Sequence, residues 1–292
     1  DTAAEYAKQS DFLFGSTVGR VAGRVRGASF ALGDHNYQLA ANDGANHLHG
    51  GPTRSFDKVV WSVETKRSDL GPSVVFGYSS PHLEEGYPGR LDAEVTYTLA
   101  EDDLSIDFAA KADRLTPVNL TNHTYWNLSG DGAGTILDHE LEVRAGSYTV
   151  TDAELLPTGE VKSVDGTALD FRDPRPIGSR IAEHDGTAAR GYDHNYVLSG
   201  DRREPAFAAR LSDPASGRVV EVWTTQPCLQ VYSGNMMTPT VGKLGASYAR
   251  RSGICLEPQG YPDAVHIPGF PSILLQPGEV YRATIVFRLR VA

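Results

Sequence analysis

A period-two alternation of apolar and polar residues constrains this chain more than any other feature, because side chains two apart share a face in a strand. It recurs at Val59–Thr65, Ser73–Ser79, Leu91–Leu99, Leu104–Ala112 and, near the end, Ala283–Arg290, all rich in β-branched or aromatic residues. Short polar links join neighbours. Ala100-Glu101-Asp102-Asp103 connects Leu91–Leu99 to Leu104–Ala112, and Asp213-Pro214-Ala215-Ser216-Gly217 connects Phe207–Ser212 to Arg218–Thr225. Both predict antiparallel hairpins, the second because Pro presets an early turn φ and Gly accepts a positive one at the close. The best helix candidate, Ile177–Glu183 after Pro174 and Pro176, is short. The pattern lacks the long helices that alternate with strands in a doubly wound fold, so the expected class is all-β.

At 292 residues the chain exceeds the usual single domain, yet all-β barrels and sandwiches reach this length around one core. Its 30 Gly and 17 Pro are spread throughout, leaving no linker, so one domain over residues 1–292 is expected. The balance of 27 Lys+Arg against 37 Asp+Glu gives a formal charge of −10, which argues against nucleic acid or an anionic membrane as partner. Cys228 and Cys255 are too few for a disulfide framework or a Cys-ligated zinc site and read as buried thiols. No apolar run approaches the roughly 18 residues that span a bilayer, and the first residues lack the basic and apolar regions of a signal peptide. A cytoplasmic protein is the expectation, with secretion left open because the chain does not begin with Met.

Several ionisable residues lie among aromatic, amide and glycine neighbours rather than in charged surface runs. They are His47 and His49 in Asn46–Gly51, His123 in Thr121–Asn127, Asp193 and His194 in Gly191–Asn195, and Glu257 in Cys255–Asp263. Such surroundings suit a sugar pocket, where aromatic faces cover C–H surfaces and amides or charges satisfy hydroxyls. Three chemistries compete. His47 and His49 would share a face on a strand and could ligate a metal with His123 or His194. Asp193 and Glu257 could be the two carboxylates of a glycosidase. A histidine and a glutamate could instead work as an acid–base pair without metal or covalent intermediate.

A set of motifs in register then narrows the reading. Gly19-Arg-Val-Ala-Gly-Arg-Val25, Leu48-His-Gly-Gly51, Ser55-Phe-Asp-Lys58, Gly86-Tyr-Pro-Gly89 and Pro117-Val-Asn-Leu-Thr-Asn-His-Thr-Tyr-Trp-Asn-Leu128 come first. Gly191-Tyr-Asp-His-Asn195, Thr225-Gln-Pro227, Glu257-Pro-Gln-Gly-Tyr-Pro-Asp-Ala264 and Leu274-Leu-Gln-Pro-Gly-Glu-Val-Tyr281 follow. From about residue 12 onward the chain resembles the aldose 1-epimerases, the galactose mutarotases. The resemblance implies a large antiparallel β-sandwich with a sugar bound across one sheet. It matches Glu257 to the general base at the anomeric hydroxyl and His123 to the general acid at the ring oxygen. It matches His49 to a second active-site histidine, and Arg24, Asp193 and Gln226 to residues that bind or orient the sugar. The implied reaction interconverts the α and β anomers of a free aldohexose such as galactose or glucose and requires no cofactor or metal. A sugar-phosphate epimerase of the same fold would need a cationic clamp, and a noncatalytic sugar-binding protein would not need both His123 and Glu257.

The chain departs from the family pattern in two ways. Gly23 stands where the family usually has Asn, and the strands that usually precede Gly19–Val25 are absent. Among the remaining residues, His47 and His194 read as loop hydrogen-bonders, Trp126 as core, and the Asn-X-Ser/Thr matches at Asn119, Asn122 and Asn127 as fortuitous. Preferred sugar and oligomeric state are not legible.

Overall fold

The computed structural model describes residues 2–8, 12–68, 70–200 and 202–291. Its regular structure is almost entirely strand, in keeping with the expected all-β class, and among the described residues the α-helix is the five-residue Ala3–Ala7. No helix among them is long and apolar enough to cross a membrane. The expected helix at Ile177–Glu183 is instead two 3-10 turns, Ile177–Ser179 and Ile181–His184. The segment is too short to offset helix nucleation, and it is held by burying Ile177 and Ile181 rather than by an extended helical ladder.

Two compact units divide the chain. The first comprises Asp1–Ser16, Asn122–Pro258 and Phe287–Ala292. One of its sheets has the spatial order Tyr125–Trp126, Ile254–Gln259, Cys228–Tyr232, Asp193–Val197, Ser147–Thr151, Pro157–Ser163. Antiparallel registers include Tyr125↔Cys255, Asp193↔Tyr232 and Tyr148↔Tyr196. A second set of strands runs Arg175–Pro176, Glu140–Val143, Ala206–Ser212, Arg218–Thr224, again antiparallel. Its last two strands are the hairpin expected around Pro214 and Gly217, whose N–H donates to the Asp213 carbonyl at 2.9 Å. A bulge between Phe207 and Ala209 breaks the alternation, so Ala208 and Ala209 are both buried. Trp126 packs on Phe287 with ring centroids 5.1 Å apart but is half-buried and also lines a cavity, so it is only partly the core residue expected.

The second unit, Thr17–Thr121 and Gln259–Val286, carries a meander of Ser62–Ser68, Gly71–Ser80, Leu91–Ala100 and Asp103–Ala112. Leu91, Ala93 and Val95 point inward while Asp92 and Glu94 are exposed, the alternation that made the hairpin legible. Its turn is tighter than the sequence suggests, because Ala100 pairs with Asp103 and Glu101 adopts φ 53°. The strand expected at Val59–Thr65 begins only at Ser62, since the residues before it turn to seat Trp61 against Phe56, whose carbonyl accepts from the indole N–H at 2.9 Å. Val21, Val25, Ala28, Phe30, Leu39 and Tyr87 form a buried cluster.

Beside that cluster Arg20 is 2% exposed, with its guanidinium fully engaged. It donates to Ser80 Oγ and to the carbonyls of Ser80, Pro81, Pro88 and Gly89, and Ser80 Oγ donates in turn to Glu84. Arg20→Met keeps the aliphatic bulk but strands four carbonyls and removes a charge facing Glu84. The expected loss is about 3–5 kcal/mol of unfolding free energy, read by urea denaturation. A change below about 1 kcal/mol would show that water replaces the guanidinium without penalty.

Candidate active site

Every residue of Ile254–Gln259 is buried. Strand alternation sends Ile254 and Leu256 to one face and Cys255 and Glu257 to the other. Tyr125 stands opposite Cys255 in the ladder, and His123, two residues earlier, completes the group. Its Nδ1 lies 3.6 Å from Cys255 Sγ, and its Nε2 lies 3.7 Å from Glu257 Oε1. That second distance is longer than a hydrogen bond, and Glu257 Oε2 is buried with no hydrogen-bond partner among the described residues. A buried carboxylate oxygen left open is costly unless something else donates to it.

Asp193 joins the same face from Asp193–Val197, where Gln230 Nε2 donates to its Oδ1 at 2.5 Å and Tyr232 is its register partner. Gly191 makes this placement possible: at φ 146° a Cβ there would lie 2.2 Å from Asn235 Oδ1. His194 points to the opposite face, against His184 with ring centroids 4.9 Å apart. It is therefore a buried strand residue rather than the loop residue the sequence suggested, although it does hydrogen-bond, its Nδ1 accepting from the Asp193 N–H at 3.1 Å. Gln226 is buried in the connection leading into Cys228–Tyr232, its N–H donating to Thr224 Oγ1 at 3.0 Å.

Burial, with Asp193's charge in second place, raises the Glu257 carboxyl well above the usual range, and burial lowers His123 to about 4. Both shifts act in the same chemical direction. A carboxylate at Glu257 is thereby a stronger base and an imidazolium at His123 a stronger acid, while in the empty site burial favours the neutral form of each.

Arg24 and His49 belong to the second unit, where Arg24–Val25 pairs with His47–Leu48. Arg24 Nε donates to Asp43 at 2.7 Å, while the Gly23 N–H donates to His49 Nδ1 at 3.2 Å. Gly50 explains the double glycine after His49, since a Cβ there would lie 1.8 Å from the Gly19 carbonyl oxygen. The histidine pair of the metal reading does not form one site. His47 Nδ1 donates to the Ala40 carbonyl at 2.7 Å and Nε2 accepts from Tyr87 at 2.8 Å, while His49 lies off the strand at φ 52°.

Sequence reasoning missed Cys255, Gln230, Tyr125 and Tyr232 as members of this face; parity counted back from Glu257 would have found Cys255. Among the described residues, the donors that could hold a metal are His123, Cys255 and Glu257, whose ligand atoms lie within 4.8 Å of one another. A cavity of about 680 Å³ in the same unit is lined by Phe14, Tyr125, Met237 and Tyr248 among others. It adjoins the pair through Tyr125, whose ring centroid is 5.1 Å from that of His123, but neither His123 nor Glu257 is among its lining residues. His123 and Glu257 thus lie on the sheet face, outside the lining of that cavity.

Burial also lowers His47 to about 4 and His194 to about 3, and His139 and His184 in the same direction. Between the ordinary histidine value and these values the unfolded chain binds protons that the folded chain refuses. Stability therefore falls as pH drops from about 6.5 toward 4. Glu257 and His266, both raised, oppose this, but they are outnumbered. Melting temperature followed by circular dichroism should decline across that window; a flat or rising profile would contradict the five lowered imidazoles.

Comparison with known proteins follows the same lines. The family model for aldose 1-epimerase matches residues 1–288. A galactose mutarotase from Bos taurus is 47% identical over 285 residues, covering 97% of this chain and 81% of that protein. The crystal structure of a GalM/aldose epimerase homologue from C. elegans has a TM-score of 0.88 at 29% identity, covering 100% of this chain and 86% of the other. That of a galactose 1-epimerase from Lactobacillus acidophilus has a TM-score of 0.86 at 31% identity, covering 100% and 84%.

Proposed function

Because the chain belongs to the aldose 1-epimerase family, we propose that its isomerase reaction, the interconversion of aldose anomers, runs through Glu257 and His123 as an acid–base pair. In this reading Glu257 takes the proton of the C1 hydroxyl as the bond from C1 to the ring oxygen breaks, and His123 delivers a proton to that oxygen. Rotation about C1–C2 in the open aldehyde and reversal of both transfers give the other anomer. The chemistry needs neither a metal nor a redox cofactor. The observation carrying it is the buried Glu257 carboxyl, with Oε2 unpartnered among the described residues and Oε1 3.7 Å from His123 Nε2.

The substrate in this reading is a free monosaccharide, galactose or glucose, oriented by Asp193, Gln226, Arg24 and His49. Residues 1–292 act as a single catalytic module, supported by a family match that runs through both compact units. The two buried free thiols agree with a cytoplasmic setting. Polarimetry of freshly dissolved α-galactose tests the proposal. The folded protein should speed the approach to equilibrium rotation, and an unchanged rate would overturn it.

Gly23 bears on sugar preference. It holds φ 75°, a conformation Asn tolerates, and a Cβ there would meet Pro262 Cβ at 3.2 Å, a contact relieved by a shift of a few tenths of an ångström. Gly23→Asn should alter the ratio of kcat/KM between galactose and glucose by a factor of about 2–12, the worth of one neutral hydrogen bond. An identical ratio would remove this position from substrate reading.

A further inference from the structure

We propose that Cys255, His123 and Glu257 form a capture site for a thiophilic divalent cation of the zinc class, and that its occupancy switches the acid–base pair off. The inhibition rests on the role assigned above to His123 and Glu257; the binding does not.

The three side chains supply sulfur, nitrogen and oxygen donors, all buried and mutually within 4.8 Å. Zinc bonds of about 2.0–2.3 Å in a tetrahedron hold such donors roughly 3.3–3.8 Å apart. Cys255 Sγ is already 3.6 Å from His123 Nδ1, so closing the set requires movements of about an ångström or less. Glu257 Oε2, unpartnered and sealed from solvent, offers the second sign of a ligand at this spot. Three protein donors leave the fourth tetrahedral position open, as in zinc sites that take a water or substrate.

The donor set selects the ion. Magnesium and calcium prefer oxygen ligands, and one carboxylate cannot hold either, whereas thiolate and imidazole suit zinc and cadmium. Binding breaks the Cys255 S–H bond and forms a metal–sulfur bond. The proton passes to the buffer, and no electron is transferred. The carboxylate is then committed to the cation and cannot accept the sugar's proton, and a ring with one nitrogen on the metal cannot take up the second proton that it would deliver. Cys228 stands apart, on the strand where its register partner is Val197, and belongs to no such group among the described residues.

The full chain, first freed of metal by chelation, is titrated with Zn²⁺ during the polarimetric assay. Inhibition should be close to complete, competitive with sugar and reversed by chelator, while Mg²⁺ leaves the rate unchanged. Measured against its own metal-free rate, Cys255→Ala should lose about 10- to 100-fold in zinc sensitivity, and Cys228→Ala should behave as the parent. Independently of turnover, Cd²⁺ should produce a thiolate charge-transfer absorption in the parent and in Cys228→Ala, with release of one proton per ion. That band also decides the matter if Cys255→Ala does not fold, and it reads the site even if the protein proves inactive on sugars. No band in the folded parent, a band lost with Cys228 instead, or equal inhibition by Mg²⁺ would overturn the proposal.

Discussion

Glu257→Gln should fold like the parent, bind sugar within a few-fold of it and lose about 10²- to 10⁴-fold in kcat. The carboxamide matches the carboxylate in size and can still contact a hydroxyl, but it cannot accept the anomeric proton. Misfolding is not the expected outcome. The side chain is 2% exposed and its charged form is disfavoured by burial and by Asp193, so a neutral replacement relieves a desolvation cost. Melting temperature at neutral pH should hold or rise while turnover collapses. Polarimetry gives kcat, calorimetry the sugar affinity, and circular dichroism the melt. A folded variant with kcat within about threefold of the parent would show that another group accepts the proton.

The hairpin Leu91–Ala112 was legible because one face of a solvated antiparallel sheet must alternate, and Asp92 and Glu94 spell the outer face directly. The same rule applied to Gly191–Asn195 separates Asp193 from His194, although the sequence reading placed His194 in a loop. The two arginines of Gly19–Val25 show where local reasoning stops. Arg20 donates five hydrogen bonds to Ser80, Pro81, Pro88 and Gly89, some sixty to seventy positions away, while Arg24 meets Asp43. Nothing within the motif ranks one above the other, because the partners are set by the topology and not by spacing.

Cys255 was illegible for a related reason. As one of two cysteines it reads as filler, and only the ladder that sets Tyr125 opposite it brings His123 to its sulfur. The buried asparagines were clearer. Asn119 accepts from the Gly260 N–H, and Asn122 donates to the Gly15 carbonyl, so neither amide is available to a glycan, as expected from their positions within the motif.

His123→Asn should produce a loss of the same order, about 10²- to 10⁴-fold in kcat, for the complementary reason that an amide cannot deliver a proton to the ring oxygen. The two substitutions together should cost little more than the worse of them alone. Ring opening needs a proton to leave one oxygen as another arrives at the second, so once either transfer is blocked the remaining partner has no step to assist. This non-additivity separates a coupled pair from two residues that merely line a pocket, whose effects would multiply. His123 lies 3.7 Å from Glu257 and 3.6 Å from Cys255, so its loss also removes a buried ring from the face, and folding must be checked by circular dichroism before rates are compared. Folded His123→Asn retaining near-parental kcat, or a double variant whose loss equals the product of the two single losses, would dismiss the pair as the catalytic unit while leaving the fold and family untouched.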